Sequence, residues 1–197
     1  MSNLFKIGEV IQDELSGNSY RIEELLGSVG QGEVYRVHLN GCSLALKWYY
    51  QLNATPQQKT ILNDLIQKFG RPNDKFLWPE ALVSSTKYQS FGYVMGLRPT
   101  HFKDIRAWMK RKVNPSFKSL ATVGFHLANS FLTLHAKGLC YRDISFGNVF
   151  FEPEKGDILI CDNDNVAVDG KKEVFGVLGT PDFMAPEIVT GKAYPST

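Results

Sequence analysis

The spacing of apolar residues changes part-way along this chain, and that change constrains the fold more than any other feature. In the first half, stretches rich in aromatic, β-branched and aliphatic residues are separated by glycine-containing turns, which is typical of strands. In the second half, spacings of three and four residues predict helices. Pro99 marks the predicted boundary. The sequence therefore predicts an α+β fold in two parts, residues 1–97 and residues 98–197.

Individual elements follow from the local pattern. Asn40-Gly41 predicts a hairpin turn between two of the strands. Apolar residues at helical spacing predict helices over residues 56–69 and 116–137. A small hairpin is expected over residues 148–161. The predicted strands cover residues 20–26, 34–39, 43–50, 81–86 and 91–97.

The composition excludes several classes of protein. Of the 197 residues, 43% are hydrophobic and 21% are charged, which is the balance of a globular protein rather than a disordered or fibrous one. No stretch approaches the roughly 18 apolar residues of a membrane-spanning helix, and the first residues lack the pattern of a signal peptide, so a cytoplasmic chain is expected. A net charge of +2 gives no reason to expect a nucleic acid or an anionic membrane as partner.

One local cluster of basic residues departs from this even charge balance. Two interpretations are open, a patch for an acidic partner or the solvated face of a helix, and the second is the more common outcome for a run of charges. The cluster consists of Lys103, Arg106, Lys110, Arg111 and Lys112.

A glycine-rich turn lies between the first two predicted strands, at residues 26–35. Glycines let backbone N–H groups approach an anion without obstruction by side chains, so such a turn can cover the phosphates of a nucleotide. The alternative is a mobile hairpin turn without a ligand. One hairpin later, Lys47 ends an apolar strand, where its ammonium either pairs with phosphate oxygens or reaches out to water.

Three further motifs lie in the second half of the chain. Asp143 and Asn148 stand five residues apart on one segment after the long predicted helix, and Asp162 follows a predicted strand. A carboxylate can orient or deprotonate a hydroxyl, and carboxylate and amide oxygens ligate hard cations such as Mg²⁺. Ordinary polar turn residues are the alternative for both motifs. The last motif, at residues 179–187, places two prolines around an apolar pair.

In this order along the chain, the five motifs resemble the signature set of the protein kinases: a glycine-rich loop, a strand lysine, a catalytic loop, a metal-binding aspartate and an Ala-Pro-Glu segment. The resemblance implies the bilobal protein-kinase fold, with a strand-rich N-lobe and an incomplete helical C-lobe. It also implies ATP and Mg²⁺ as cofactors and transfer of the γ-phosphoryl group to a protein hydroxyl.

The resemblance also assigns roles to residues. It implies that Lys47 pairs with the α- and β-phosphates, that Asp143 receives or orients the proton of the substrate hydroxyl, and that Asn148 and Asp162 hold Mg²⁺. Val34 and Ala45 are expected to face the adenine, with Met95 at the back of the pocket. The remaining implied nucleotide-binding positions are Gly27, Ser28, Gly30 and Gly32 in the turn, and Gly96 and Leu97 at the hinge.

Residues near the end of the chain refine the resemblance. Gly179-Thr180-Pro181 before the Ala-Pro-Glu segment is similar to serine/threonine kinases, which makes Thr180 part of the substrate platform. Residues 141–149 and 161–166 look most like bacterial members of the family. The stretch between Asn163 and Gly179 contains no Ser, Thr or Tyr, so activation by phosphorylation within it is not expected.

Several positions depart from the family pattern. Val29 stands where the second loop glycine is expected, the helix at 56–69 has no glutamate to pair with Lys47, and Asn163-Asp164 replaces the usual Phe-Gly pair. The helix offers Asp64 as its single acidic residue.

The sequence ends ten residues after Glu187, where a kinase domain normally continues. Phe183, Met184 and Ile188 are therefore expected to be exposed and to favour self-association or a partner chain.

Three functions remain open. The presence of Lys47, Asp143 and both metal-binding positions favours a serine/threonine protein kinase over a pseudokinase that acts as a scaffold. The segment 179–187 favours a protein substrate over the small molecule of an antibiotic kinase. The protein substrate itself is not predicted.

Overall fold

The structure is a computed structural model, and it describes residues 4–169 and 179–193. The chain divides into two compact units. The first contains the residues up to Arg71 together with Trp78–Arg98, and the second contains Pro72–Leu77 and the residues from Pro99 onward. The sequence pattern did not separate Pro72–Leu77, which belongs to the second unit because the Leu77 N–H donates to the Ile160 carbonyl at 2.9 Å.

The first unit is built on one antiparallel sheet of six strands in the order β1-β2-β3-β4-β6-β5. A bridge between Asp13 and Val83 also joins the two edges of the sheet. The five predicted strands are confirmed, while β1 was missed because it is only three residues long. The strands are β1 (Val10–Gln12), β2 (Ser19–Val29), β3 (Gly32–Leu39), β4 (Cys42–Tyr49), β5 (Ala81–Ser85) and β6 (Ser90–Gly96).

One face of this sheet carries the hydrophobic core of the unit. Asn40 and Gly41 form the predicted turn between β3 and β4, with φ angles of 48° and 87°, and so fix which residues share a face. Tyr35 lies opposite Leu46 across the two strands, and Leu46 lies opposite Val94. Since side chains alternate along a strand, the residues between them face the other way. The core cluster comprises Phe5, Ile11, Tyr20, Ile22, Tyr35, Val37, Leu46, Trp48, Val83 and Val94.

The predicted helix at 56–69 is present but changes its winding. Helix α1 (Pro56–Asp64) begins at Thr55, whose side chain accepts a hydrogen bond from the Gln58 N–H. It continues as a single π-helical turn at Leu65–Phe69 and ends at Gly70 with φ 62°. The Leu65 carbonyl accepts hydrogen bonds from the Gly70 N–H at 3.0 Å and from the Trp78 indole at 3.1 Å.

The second unit contains the long predicted helix and several short strands. Helix α3 (Phe117–Ala136) is capped by Ser116 and buries Val123 and Leu134. The predicted hairpin is confirmed as β9 and β10, whereas the other short strands were missed because two or three residues carry no clear alternation. The remaining elements are β7 (Lys103–Asp104), α2 (Ile105–Met109), β8 (Leu139–Tyr141), β9 (Val149–Phe151), β10 (Ile158–Ile160), β11 (Val166–Val168) and α4 (Pro186–Val189).

Strand pairing positions the functional segments of the second unit. β7, β9 and β10 form one small sheet, and β8 pairs with β11 to form another. The segment that carries Asp143 and Asn148 therefore runs between a strand of each sheet. The prediction of an α+β fold is confirmed. Within residues 4–169 and 179–193, no helix combines the length and the hydropathy needed to cross a bilayer.

Candidate functional site

The glycine-rich turn connects β2 and β3 through Gly30 and Gln31, with Val29 opposite Gly32. A Cβ added to Gly27 or Gly30 would meet no atom of the described residues within 4 Å. Ser28 and Val29 are exposed. The turn therefore presents open backbone, as a phosphate-binding loop requires.

Gly32 is fixed by close packing rather than by an unusual φ angle. An added Cβ would lie 2.0 Å from the Trp48 carbonyl oxygen, so no larger residue fits without moving β3 away from β4. The neighbouring Glu33 is buried, and its carboxylate accepts hydrogen bonds from the Leu4 N–H at 3.0 Å and from the Tyr35 hydroxyl. These contacts anchor the start of β3 to the N-terminal segment.

Lys47 lies on β4, opposite Val34 on β3 and Tyr93 on β6. Its side chain is only 2% exposed, and its ammonium lies 5.7 Å from the centre of the Tyr49 ring. The strand register places Lys47 on the face opposite the hydrophobic core. A buried lysine on that face fits a role in binding a ligand better than a side chain that reaches out to water.

The positions expected to face adenine lie on the same sheet face as Lys47, Val34 in its row and Ala45 in the next. Ala45 lies opposite Met95, and both are buried. Val34 is half-buried one row away, and the half-buried Gly96 and Leu97 follow Met95 at the end of β6. The sheet therefore brings Val34, Ala45, Met95 and Lys47 onto one surface of the first unit, whereas Gly96, opposite Leu44, alternates to the other face.

Asp64, the acidic residue that α1 offers as one candidate partner for Lys47, forms an ion pair with another residue. The Asp64 carboxylate lies 2.8 Å from the Lys68 ammonium, one helical turn further along the chain. Gln58 on the same helix donates a hydrogen bond to the Tyr49 hydroxyl at 3.3 Å.

In the second unit, Asp143 is held by hydrogen bonds from two side chains. The Asn148 amide donates to the Asp143 carbonyl at 2.8 Å and to its carboxylate oxygen Oδ2 at 3.0 Å. The Thr180 hydroxyl donates to the other carboxylate oxygen, Oδ1, at 3.0 Å. Both carboxylate oxygens are thus positioned, which is what a group that orients a substrate hydroxyl needs.

Asn148 and Asp162 are brought near one another by the backbone. The Cys161 N–H donates to the Asn148 carbonyl at 2.8 Å, which ties Asn148 to the residue before Asp162. Asp162 adopts a left-handed conformation with φ 51°. The Asn148 amide nitrogen faces Asp143, so its oxygen would be the atom that holds a cation, with the Asp162 carboxylate as the expected second ligand. Two oxygen ligands fit Mg²⁺, which keeps several waters and phosphate oxygens in its coordination shell.

The described residues contain no group of three His, Cys, Asp or Glu side chains arranged to hold a metal ion. The pair of Asn148 and Asp162 that the family resemblance implies would supply two oxygen ligands to a hard cation.

Tyr141 and Asn163, the second of which replaces the usual family phenylalanine, have structural contacts. The buried Tyr141 hydroxyl donates to the Cys161 carbonyl at 2.5 Å, and burial together with the charges of Asp162 and Asp143 raises its pKa well above 10. The fully buried Asn163 donates to the carbonyls of Leu77 and Ile160 at 2.8 and 2.9 Å. At Asn163, polar contacts to the backbone therefore occupy the place where the family pattern has an apolar side chain.

The segment 179–187 packs beside the loop of residues 142–148, which the family resemblance implies is the catalytic loop. A Cβ on Gly179 would approach the Met184 sulfur to 2.8 Å and the Arg142 carbonyl to 3.1 Å. The Phe146 and Phe183 rings make an edge contact with centres 4.8 Å apart.

The apolar residues of this segment differ in exposure. Phe183 is 36% exposed, as expected, while Met184 and Ile188 are half-buried. Self-association through this segment stays a prediction. The stretch 170–178, which lacks a phosphorylatable residue, lies outside the described residues, as do residues 194–197.

Sequence reasoning missed Asn165 as a positioning residue. Its carbonyl accepts hydrogen bonds from the Arg142 side chain at 3.1 Å and from the Arg142 N–H at 3.3 Å. Arg142 is therefore held next to Asp143 by a contact within the second unit. No sequence signal marks this contact, because it depends on the pairing of β8 with β11.

Comparison with known proteins decides the family. The model of the protein kinase domain matches residues 20–197. The chain belongs to the protein kinase family. Similar proteins include the serine/threonine-protein kinase CLA4 of Candida albicans, which is 27% identical over 96% of this chain and 20% of its own length. The protein kinase gsk3 of Schizosaccharomyces pombe is 24% identical over 94% of this chain and 50% of its own length.

Protein kinase C delta type of Mus musculus is 40% identical over a shorter match, which covers 31% of this chain and 9% of the relative's length. The chain spans a fifth of the length of CLA4 and half that of gsk3. The predicted protein-kinase-like fold is confirmed by the family match.

Proposed function

We propose that this chain is an ATP- and Mg²⁺-dependent serine/threonine protein kinase. The first unit contributes the open glycine-rich turn and the buried Lys47, which suit the phosphates of a nucleotide. The second unit contributes Asp143, Asn148 and Asp162. The match to a protein kinase domain and the names of its serine/threonine kinase relatives support the assignment.

Each residue has a defined task in this proposal. The Asp143 carboxylate accepts the proton of a serine or threonine hydroxyl as the hydroxyl oxygen bonds to the γ-phosphorus and the bond to the ADP oxygen breaks. Thr180 and Asn148 hold that carboxylate in place. The Asn148 oxygen and the Asp162 carboxylate would hold Mg²⁺, which neutralises phosphate charge when bound. Lys47 pairs with phosphate oxygens.

The hydrogen bonds to Asp143 carry the proposal. A turn aspartate without function would use its carboxylate to cap nearby backbone N–H groups. Asp143 instead receives one side-chain donor on each carboxylate oxygen, and one of these donors lies 37 residues away in the chain. Such a distant contact serves to orient the carboxylate.

Nucleotide binding is tested by calorimetric titration of the chain with ATP, with and without Mg²⁺. We expect metal-dependent binding that weakens about tenfold or more in Lys47→Met, because a charge-assisted contact is lost while side-chain volume is kept. Lys59→Met, which removes an exposed lysine of the same unit, is the matched control. Absence of ATP binding in a folded chain would contradict the kinase assignment.

Phosphoryl transfer is tested with radiolabelled ATP and a mixture of serine- and threonine-containing proteins. We expect incorporation by the wild type and a loss of about 100-fold or more in Asp143→Asn, since the base is removed. Asp74→Asn removes an exposed carboxylate of the second unit and should leave transfer unchanged. Equal transfer by the wild type and Asp143→Asn would overturn the role of Asp143.

A pseudokinase scaffold is the second candidate, and one observation favours it. Asp64, the only acidic residue of α1, is paired with Lys68, so the family's usual acidic partner for Lys47 is not supplied by that side chain. Under this alternative the chain binds ATP but transfers no phosphoryl group, so Asp143→Asn does not change the measured transfer.

A further inference from the structure

The basic cluster from the sequence forms an exposed surface in the second unit. Between residues 101 and 118 the chain has six basic residues and one acidic residue, although its net charge is only +2. The side chains of the cluster are all exposed. We call Lys103, Arg106, Lys110, Arg111 and Lys112 the basic patch.

The basic patch lacks the charge pairing seen elsewhere on the surface. Arg106, Lys110, Arg111 and Lys112 have no acidic side chain within salt-bridge distance among the described residues. The single acidic residue of the segment, Asp104, caps α2 by accepting a hydrogen bond from the Ala107 N–H at 2.7 Å. Paired basic residues elsewhere include Lys59 with Glu14, Lys68 with Asp64, Lys75 with Asp157 and Lys87 with Glu9.

Like charges this close destabilise the chain that carries them. Arg106 and Lys110 stand one helical turn apart, where two positive charges repel. Arg111 adds a left-handed backbone conformation with φ 54°, which is uncommon outside glycine. Charge repulsion and an unfavourable backbone conformation found together are typical of a functional surface, where binding of an external ligand offsets their cost in stability.

Strand pairing fixes the basic patch beside the catalytic loop. Lys103 and Asp104 form β7, which pairs with Phe151 and Phe150 of β9. β9 begins at the residue after Asn148. The Arg106 guanidinium lies 3.2 Å from the position that a Cβ on Gly147 would occupy. The patch and the loop that carries Asp143 are therefore joined within one unit.

The far end of the basic patch is concave. A cavity of about 450 Å³ is lined by Trp108, Arg111, Val113 and Asn114. A guanidinium and an amide offer hydrogen-bond donors to a carboxylate, and the Trp108 ring supplies an apolar wall. This donor set suits an acidic side chain.

We propose that the basic patch recognises the protein substrate, and that the substrate presents its serine or threonine within a segment rich in acidic residues. This assignment rests on the proposed kinase activity, since Asp143 defines where the hydroxyl must lie. Gly147 leaves room for the Arg106 guanidinium, which places a positive charge at the loop. An acidic protein segment fits better than a nucleic acid, because the positive charge is confined to one short segment beside the catalytic loop.

Binding is measured first, without ATP, so that it does not depend on catalysis. A fluorescein-labelled peptide with one serine flanked by glutamates is compared by fluorescence anisotropy with a peptide that has glutamine in their place. We expect about tenfold tighter binding of the acidic peptide, an advantage that falls at high salt. Equal binding of the two peptides would overturn the proposal.

Variants then locate the contact. Two variants are compared, Arg106→Gln and a triple variant with Lys110→Gln, Arg111→Gln and Lys112→Gln. Each should lower the affinity for the acidic peptide about fivefold. Lys155→Gln, which removes an exposed lysine on the β9–β10 turn, is the matched control. An equal loss in Lys155→Gln would overturn the proposal, as would equal binding of a single-stranded oligonucleotide or of phosphatidylserine vesicles.

Phosphoryl transfer separates this inference from the kinase assignment. With the acidic peptide as substrate, Arg106→Gln should raise KM about fivefold and leave kcat nearly unchanged. Transfer without preference between the peptides would leave the kinase assignment standing and overturn the role of the patch. Selective binding of the acidic peptide without any transfer would support the surface and overturn the kinase assignment.

Discussion

The glycine-rich turn and the catalytic loop hold their functional groups by opposite means. In the turn, the ladder between β2 and β3 sets the backbone, and the side chains of Ser28 and Val29 are exposed. In the catalytic loop, side-chain hydrogen bonds from Asn148 and Thr180 set Asp143. The turn should therefore tolerate changes of side chain but not added bulk against the strand, whereas the loop should lose activity when one donor is removed.

The largest expected effect comes from bulk in the turn. Gly32→Ala would place a Cβ 2.0 Å from the Trp48 carbonyl oxygen, so β3 and β4 must separate at that point. We expect a loss of about 3 kcal/mol in the free energy of unfolding, measured by urea denaturation.

Gly27→Ala is the matched control for this change. Its Cβ would meet no atom of the described residues within 4 Å, so the cost should stay within about 0.5 kcal/mol. Equal losses in the two variants would show that close packing is not what distinguishes Gly32.

The same contrast explains which parts of the molecule could be predicted from the sequence. The Asn40-Gly41 turn and the Thr55 cap depend on backbone conformations that few residue types favour, so their positions follow from local sequence. The π-helical turn at Leu65–Phe69 was missed because the residues keep the apolar spacing of an ordinary helix.

The candidate site also has one part that the sequence predicts and one part that it does not. The pairing of Val34 with Lys47 follows from hairpin register, which the predicted turn fixes. The Thr180 bond to Asp143 spans 37 residues, and the sequence assigned Thr180 only to a substrate platform. Contacts of this kind depend on how segments pack in space, and no local pattern encodes them.

A second prediction removes one donor from the catalytic loop. Thr180→Ala deletes the hydrogen bond to Asp143 Oδ1, so we expect kcat to fall about tenfold, which corresponds to about 1.4 kcal/mol. Steady-state kinetics should show the change in kcat rather than in the KM for ATP. Thr180→Ser keeps the hydroxyl and should restore most of the rate; if it does not, the threonine methyl matters more than the hydrogen bond.

A third prediction concerns the alkaline stability of the loop. Burial and nearby carboxylates raise the pKa of Tyr141, so the unfolded chain releases this proton at lower pH than the folded chain does. The stabilisation is complete below about pH 10 and is lost as pH rises from there toward the folded pKa. Between pH 9.5 and 11, Tyr141→Phe should lose less stability than the wild type, by about 1 kcal/mol, measured from urea midpoints.

The loss of wild-type stability at alkaline pH has other sources besides Tyr141, so a control variant is needed. Burial also raises the pKa of Tyr20, Tyr35 and Tyr88, so Tyr141→Phe should reduce the alkaline loss without abolishing it. Tyr50→Phe retains Tyr141 and should keep the larger loss. Identical pH profiles for the wild type and Tyr141→Phe would contradict the buried, proton-bound tyrosine.

The smallest expected effect tests how Lys47 is held in the first unit. If the strand ladder positions Lys47, as it positions the turn, then Asp64 matters only for its exposed ion pair with Lys68. Asp64→Asn should lower the free energy of unfolding by about 0.4 kcal/mol and leave the Kd for ATP within about twofold. Lys68→Gln, which breaks the same pair from the other side, should match it in both measurements. A tenfold weaker affinity for ATP in Asp64→Asn alone would instead show that this carboxylate serves Lys47, and that the first unit also depends on a specific side-chain contact.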